Sequence, residues 1–155
     1  MLFDFDEIQF QIWELRMLNE FLNHQLTTNV IFVEVEKGYE EFIFESIKEK
    51  NEGNVLLKPD VKTFNQVLTN NLIVVLNLIS ETISNKNDSN KIVIEKLIVD
   101  LFANKYIKEI INKSEYQQIV DSMMERYIID YATLNRYSLR RNKQNIVDQH
   151  IHRDK

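Results

Sequence analysis

The fold depends first on one stretch, LTNNLIVVLNLISETIS, which covers residues 68–84. At about 100° per residue, Leu76 and Ile79 fall on one face of a helix, and Asn77 and Glu81 fall on the opposite face. Branched apolar residues flank this polar stripe closely, whereas a surface helix normally has a wide polar face. We therefore predict a central helix whose Asn77 and Glu81, spaced i, i+4, bond to each other or to a facing helix. The alternative is that the stripe meets solvent.

Low glycine and proline contents favour an all-helical protein. The 155 residues include two glycines and one proline, and tight turns and hairpins depend on these residues. Apolar spacing predicts helices at about residues 6–26, 29–50, 60–84, 88–112 and 114–134, with a short last helix from Ile146. Residues 30–46 could instead form a short hairpin that turns at Gly38. The predicted class is all-α, with one bundle of about five long helices in a single domain, residues 1–155.

Composition excludes several kinds of chemistry. The chain has no cysteine, which excludes disulfides, thiol catalysis and thiolate metal sites, and fits a cytoplasmic location. The three histidines lack metal-ligand spacing and no glycine-rich loop is present to hold nucleotide phosphates, so we expect neither metal nor cofactor. No apolar run reaches the roughly 18 residues of a membrane span, and the start of the sequence is typical of a helix rather than of a signal peptide.

The net charge of −5 is unevenly distributed. Residues 136–155 carry six basic and two acidic residues, a net charge of +4, so the other 135 residues carry −9. A basic end of this kind fits phosphate or an acidic partner surface. On this basis Arg136, Arg140 and Lys143 are candidate RNA-binding residues. Tyr137 lies among them, where it can either stack on a base or pack in the core.

Arg141 and His150 are the candidate catalytic pair. An arginine can stabilise charge that develops on a phosphate and a histidine can transfer protons, a combination that suits metal-free RNA cleavage. In a straight helix these two side chains would point about 180° apart. Helical propensity drops at residues 142–145, and only a break there would bring the pair together.

Two segments resemble stand-alone HEPN-domain proteins of prokaryotic defence and toxin systems. LKPDVKTFNQVLTNNLIVVLNLISETI (residues 57–83) is similar to a family segment in which a Lys-Pro step precedes a helix ending in a Tyr-Asn-Leu-x-Glu-like motif, here matched by Asn77 and Glu81. Residues 145–153 are similar to the Gly-Asn-Ile-Asp segment before the last helices of such proteins.

The resemblance implies an all-α bundle that forms a homodimer with an RNA cleft between the subunits. Active members are metal-independent endoribonucleases that use Arg-x4–6-His. Arg141 and Asn142 match the start of this pattern, but eight residues separate Arg141 from His150. If residues 145–153 are the segment that precedes the motif, the true pair lies beyond Lys155 and the chain is catalytically incomplete.

Two functions follow as predictions. The first is an RNA-associated HEPN-like domain of a defence or toxin–antitoxin system, catalytic if Arg141 and His150 converge. The second is a helical protein-interaction module, such as an antitoxin or immunity protein, whose acidic body binds a basic partner protein. RNA affinity that falls steeply with salt would favour the first, and stabilisation by a cognate protein would favour the second.

Overall fold

A four-stranded sheet forms the centre of the protein. The computed structural model describes residues 8–51, 54–79 and 92–151. Its strands are β1 (Phe10–Glu14), β2 (Val30–Val35), β3 (Val55–Leu57) and β4 (Leu72–Asn77). They lie in the order β1-β2-β4-β3, with β1 antiparallel to β2 and the other three strands parallel. The predicted all-α class is therefore wrong, and so is the HEPN-like helical bundle.

The stretch that suggested a central helix forms β4 instead. Its side chains alternate between the two sides of the sheet: Leu72 and Val74 join one apolar core, and Ile73 and Val75 join another. A parallel strand that is covered on both sides is apolar at nearly every position, so it lacks the polar alternation of a half-exposed strand. A short run of this kind fits a helix pattern equally well, which explains the wrong prediction. Asn77 ends β4, and Glu81 lies outside the described residues.

Helices and short 3-10 turns make up most of the remaining described chain. The helices are α1 (Glu40–Asn51), α2 (Val61–Val67), α3 (Ile94–Ala103), α4 (Tyr116–Arg126), α5 (Tyr131–Arg140) and α6 (Gln144–Ile151). The 3-10 turns cover Leu15–Phe21, Ile107–Glu109 and Lys113–Glu115.

The first two predicted helices are wrong in their described parts. In place of a helix at 6–26, β1 is followed by a 3-10 turn. The segment 29–50 is neither one helix nor a hairpin, because β2 is followed by α1. Gly38 makes the turn between them with a φ of +103°, a conformation that side chains rarely adopt.

The later helices agree better with the sequence pattern. The predicted helix 114–134 is divided into α4 and α5, because the Asp130 carboxylate caps α5 by accepting a hydrogen bond from Thr133 N at 3.1 Å. The predicted break after Arg141 is present, with Asn142 at a φ of +57°. The predicted last helix is present as α6 and begins at Gln144.

The sheet lies between two apolar cores. On one side, Val33, Val35 and Val75 pack with Ile43 of α1. On the other side, the sheet packs against α2 to α6, and that core is the larger one. The connection from β2 through α1 passes over the position of β4 to reach β3, and α2 then leads back to β4 on the opposite side. As a result, β2, β3 and β4 all end at the same edge of the sheet.

Candidate functional site

A pocket of about 310 Å³ lies at the edge where β2, β3 and β4 end. The sheet side supplies Glu34, Lys58, Leu76, Asn77 and Ile79. The helical side supplies Asp100, Ala103, Asn104, Lys105, Tyr106 and Arg141. In open α/β sheets, ligands bind in the crevice outside the carboxyl ends of the parallel strands. The position of the pocket is that of a ligand site in such sheets, and its volume lies at the lower end of the range for small-molecule sites.

Beneath the pocket, a buried lysine joins two carboxylates. The Lys96 side chain is 0% exposed, and its Nζ donates to Glu34 Oε1 at 2.8 Å and to Asp100 Oδ2 at 2.5 Å. Trp13 Nε1 donates to the other Glu34 oxygen at 2.8 Å. A charge this deep in a protein is tolerated when it is paired and hydrogen-bonded.

The second oxygen of Asp100 holds two further side chains. The Tyr137 hydroxyl donates to Asp100 Oδ1 at 2.9 Å, and Arg141 Nη1 donates to the same oxygen at 2.8 Å. Arg141 Nη1 also donates to the Tyr137 oxygen at 3.0 Å. All four carboxylate oxygens of Glu34 and Asp100 therefore accept hydrogen bonds from the protein itself.

Glu34, Lys96, Asp100, Tyr137 and Arg141 form the buried cluster. Burial and charge fix the protonation states of its members. Burial alone would lower the pKa of Lys96, but the carboxylates of Asp100 and Glu34 outweigh it and hold that pKa above its ordinary value. Arg141 follows the same pattern: burial lowers its pKa, but Asp100, Tyr137 and Glu34 together raise that pKa above its ordinary value. Burial, reinforced by Asp100, raises the pKa of Tyr137 to about 12. Burial also raises the pKa of Glu34, against the lowering effect of Lys96. Near neutral pH the two cations stay charged and the phenol stays neutral.

Lys58 reaches the pocket from a strained backbone conformation. Its φ is +41°, in the left-handed region that a residue other than glycine seldom adopts, and proline follows it. Lys58 N donates to Val75 O at 2.9 Å, and the Tyr106 hydroxyl donates to Pro59 O at 2.5 Å. These contacts hold the turn after β3 in place. Such strain is common at ligand-binding positions.

Other polar groups of the pocket complete its chemistry. Lys105 Nζ lies 5.4 Å from the centre of the Tyr106 ring, and Lys58 Nζ lies 3.6 Å from Glu40. Asn77 helps to lower the pKa of Glu40, although hydrogen bonds from the backbone amides of Glu40 and Gly38 contribute more. The Asn77 Nδ2 atom is buried and makes no hydrogen bond of normal geometry within the described chain.

The structure brings only part of the predicted site to this pocket. Arg141 lines it, but His150 packs on Phe102 with ring centres 4.6 Å apart, and its Nδ1 lies 2.8 Å from Ile146 O. Both residues are described, and no hydrogen bond or ion pair joins them there. Tyr137 is buried against Asp100, which leaves no ring face for a base.

The other predicted RNA-binding residues lie away from the pocket lining. Arg136 and Arg140 are exposed on α5, and Lys143 is half-buried between α5 and α6. Within the described ranges, no group of three His, Cys, Asp or Glu side chains is placed to hold a metal ion.

Sequence reasoning missed the buried cluster, although a signal was present. Lys96 and Asp100 stand four residues apart in the apolar segment IEKLIVDLFA, and Glu34 interrupts the apolar run VIFVEV. IEKLIVDLFA also carries Glu95, and charges inside an apolar run indicate either a polar face or a buried ion pair. A lysine in one apolar run and a glutamate in another would have favoured the ion pair.

Together, the fold and the pocket define a mixed α/β domain with a charged, ligand-sized cavity at the carboxyl edge of its sheet. The chain belongs to the DUF6577 family, a family of unknown function, whose model matches residues 1–155. No curated protein and no solved structure matches the chain. The family match gives no connection to HEPN proteins, RNA binding or toxin–antitoxin systems. None of the described helices is long and apolar enough to cross a membrane.

Proposed function

We propose that this protein binds a small anionic ligand, one that carries a phosphate or carboxylate group, in the pocket at the carboxyl edge of the sheet. The observation that carries this proposal is the balance of charge around the cavity. Glu34 and Asp100 are matched by Lys96 and Arg141, so their negative charge is already neutralised. Lys58 and Lys105 then add positive charge to the same lining. Glu40, 3.6 Å from Lys58 Nζ, offsets part of the Lys58 charge.

Arg141 is the residue best placed to recognise such an anion. Its Nη1 is committed to Asp100 and Tyr137, whereas Nη2 and Nε make no hydrogen bond within the described residues. The side chain is 20% exposed and lines the cavity. A guanidinium that is held at one nitrogen presents its other donors in a fixed orientation, which suits a planar carboxylate or a phosphate.

The rest of the lining suits an organic ligand rather than a bare ion. Leu76, Ile79 and Ala103 provide apolar wall. Pockets that bind small molecules combine mostly apolar walls with a few placed polar groups. A metabolite with a charged end and an apolar body fits this pattern.

Binding is a better proposal than catalysis. Among the described residues, Glu34 and Asp100 are the only carboxylates that line the pocket, and each is held in an ion pair with Lys96 or Arg141, which leaves neither poised to take a proton from a substrate. We place the protein in the cytoplasm, in keeping with its lack of cysteine. RNA association, an Arg141–His150 ribonuclease, homodimerisation and a cognate protein partner stay predictions.

Calorimetric titration of the full chain with inorganic phosphate, citrate and adenosine monophosphate tests the proposal. We expect at least one of these anions to bind, with an affinity that falls as salt rises. Lys105→Gln and Lys58→Gln should each weaken binding by about tenfold, because each removes a charged partner of the anion.

Lys108→Gln is the matched control. Lys108 is exposed only three residues from Lys105, and its replacement changes the net charge by the same amount. The proposal fails if none of the three anions binds, or if Lys108→Gln weakens binding as much as Lys105→Gln.

A further inference from the structure

Tyr137 contacts the arginine of the pocket but does not reach the pocket itself. Arg141 is one of the described residues that line the cavity and Tyr137, which is 1% exposed, is not. The Tyr137 hydroxyl donates to Asp100 Oδ1 and accepts a hydrogen bond from Arg141 Nη1. An effect of this hydroxyl on a ligand in the pocket must therefore pass through Arg141 or Asp100.

The end of α5 fixes the point from which the Arg141 side chain extends. Tyr137 and Arg141 are one helical turn apart, so their side chains lie on the same side of the helix, and the guanidinium carbon lies 5.9 Å from the centre of the tyrosine ring. Arg141 N donates to Tyr137 O at 2.9 Å. The chain then turns at Asn142, whose φ is +57°, and Lys143 N donates back to Ser138 O at 2.8 Å. A shift of the Arg141 backbone would break these bonds.

The Tyr137 hydroxyl occupies a position on Asp100 that a second guanidinium nitrogen would otherwise take. A carboxylate oxygen has two lone pairs. Those of Asp100 Oδ1 are used by the Tyr137 hydroxyl at 2.9 Å and by Arg141 Nη1 at 2.8 Å. The other oxygen, Oδ2, is bonded to Lys96. An open carboxylate readily takes two nitrogens of one arginine, but with the hydroxyl in place Asp100 takes only one.

The remaining donors of Arg141 form one edge of its guanidinium. Nη1 donates to Asp100 and to Tyr137, which leaves Nε and Nη2 without a hydrogen bond in the described chain. These two nitrogens lie side by side in the guanidinium plane. An edge of this kind takes two oxygens of one carboxylate or phosphate group in a bidentate contact.

We propose that Tyr137 is the positioning residue of the anion site: it keeps Arg141 Nη1 on Asp100 and so leaves the Nε–Nη2 edge open for two oxygens of the anion. This inference rests on the proposed function, because it requires an anion in the pocket. Without the hydroxyl, the guanidinium gains rotamer freedom and turns a second nitrogen toward Asp100. Binding of the anion must then reverse that change, which weakens its affinity.

Tyr137→Phe tests the proposal, because it removes the hydroxyl and keeps the ring. Calorimetric titration uses inorganic phosphate, citrate and adenosine monophosphate, and we expect the variant to bind about fivefold more weakly any of these that the wild type binds. Tyr116→Phe is the matched control. Tyr116 is also a buried tyrosine, but it lies on α4 and is not among the described residues of the pocket lining, so this variant should bind like the wild type.

A double-mutant cycle separates positioning from a general loss of structure. In an Arg141→Gln background, Tyr137→Phe should change the Kd by less than about twofold, because the residue through which it acts is gone. In a Lys105→Gln background it should keep its full effect, since Lys105 contacts the anion independently of Arg141. Collapse of the pocket would instead alter the effect in both backgrounds.

Nitrogen NMR spectra of the arginine side chains test the same point in the wild type. A guanidinium that is held at one nitrogen rotates slowly about its Nε–Cζ bond and gives separate Nη1 and Nη2 signals, whereas a free one gives a single averaged signal. We expect separate signals for Arg141 before any anion is added. Addition of the anion should then shift Nε and Nη2 more than Nη1, and Arg141→Gln identifies these signals by removing them.

The outcomes distinguish this inference from the proposed function. The inference alone fails if the wild type binds an anion and Tyr137→Phe binds it equally well, or if Tyr116→Phe weakens binding as much. It also fails if Tyr137→Phe keeps its full effect in the Arg141→Gln background, or if the wild-type Arg141 gives one averaged signal. If none of the three anions binds the wild type, the proposed function and the inference fail together.

Discussion

Replacement of Lys96 by methionine should destabilise the protein strongly. The side chain is fully buried between two carboxylates, and methionine fills similar space without a charge. Removal of one partner from a buried ion pair costs about 3–5 kcal/mol, because the opposite charge is left without compensation. Since a domain of this size is stable by about 5–15 kcal/mol, the variant would lose a large share of its free energy of unfolding.

The contacts predict which carboxylate accounts for the lost stability. Asp100 keeps Tyr137 and Arg141 when Lys96 is removed, whereas Glu34 keeps only the Trp13 indole. Lys96→Met combined with Glu34→Gln should therefore regain most of the lost stability. Lys96→Met combined with Asp100→Asn should regain little, because the uncompensated Glu34 remains.

The loss should also depend on pH. Burial raises the pKa of Glu34 above its ordinary value of 4.5, so the folded state takes up a proton on this group more readily than the unfolded state. Lys96 lowers the pKa of Glu34, so without Lys96 the folded state takes up this proton more readily still. The destabilisation by Lys96→Met should thus shrink as pH falls and Glu34 becomes neutral, and should grow as pH rises through the pKa of Glu34 in the folded protein.

Urea unfolding followed by the fluorescence of Trp13, the single tryptophan, measures these differences directly. Lys62→Met on the exposed side of α2 is the control, and it should remain within about 0.5 kcal/mol of the wild type. The reasoning is refuted if Lys96→Met lies within about 1 kcal/mol of the wild type, or if adding Glu34→Gln lowers the stability further.

Three further predictions concern tyrosine ionisation and backbone strain. Burial raises the pKa values of Tyr106, Tyr116 and Tyr137 to about 12, so the stability that these neutral phenols provide is complete below pH 10 and is lost as pH rises through about 12. Ultraviolet titration should show three tyrosines that ionise only at this upper range, and ionisation of all six near pH 10 with the fold intact would contradict it. Lys58→Gly should leave the free energy of unfolding unchanged or raise it by up to ~1 kcal/mol, because glycine relieves the strain at φ +41°. The same substitution should weaken anion binding. A free energy of unfolding that falls by more than ~1 kcal/mol in chemical denaturation would rule out strain at this position. Gly38→Ala should lower the free energy of unfolding by about 1 kcal/mol, because alanine is strained at a φ of +103°. No atom lies within 4 Å of the added methyl group, so a steric clash does not contribute. An unchanged melting temperature would argue against this prediction.

The sequence predicts the helical half of the fold better than the sheet. The helices α4, α5 and α6 have apolar residues on one side and polar residues on the other, so their period is visible. β2 and β4 are covered on both sides, and their runs VIFVEV and LIVVLN show no clear period of two. Their pairing joins residues about forty positions apart, which no local pattern encodes.

Scarcity of glycine was a misleading guide to fold class. In the described chain, the left-handed turn positions are held by Lys58, Asn71 and Asn142 as well as by Gly38. Asparagine tolerates this conformation, and the lysine is held in it by its surroundings. A chain can therefore make sharp turns between strands and helices while containing almost no glycine.

The candidate site was only partly visible for a related reason. Arg141 stood out because it belongs to an obviously basic segment. Lys96 and Glu34 each interrupt an apolar run, but they lie 62 residues apart, and neither run shows which residue is the partner of its charge. Only the folded chain shows that they neutralise each other.

The reciprocal bonding of Lys96 with Glu34 has a consequence for how the family can diverge. A substitution at either position alone passes through an intermediate with a bare charge in the core. We expect relatives to replace both positions jointly, with a neutral or apolar pair, or to keep both. An alignment in which the two columns vary independently would mean that those homologues have built this region differently.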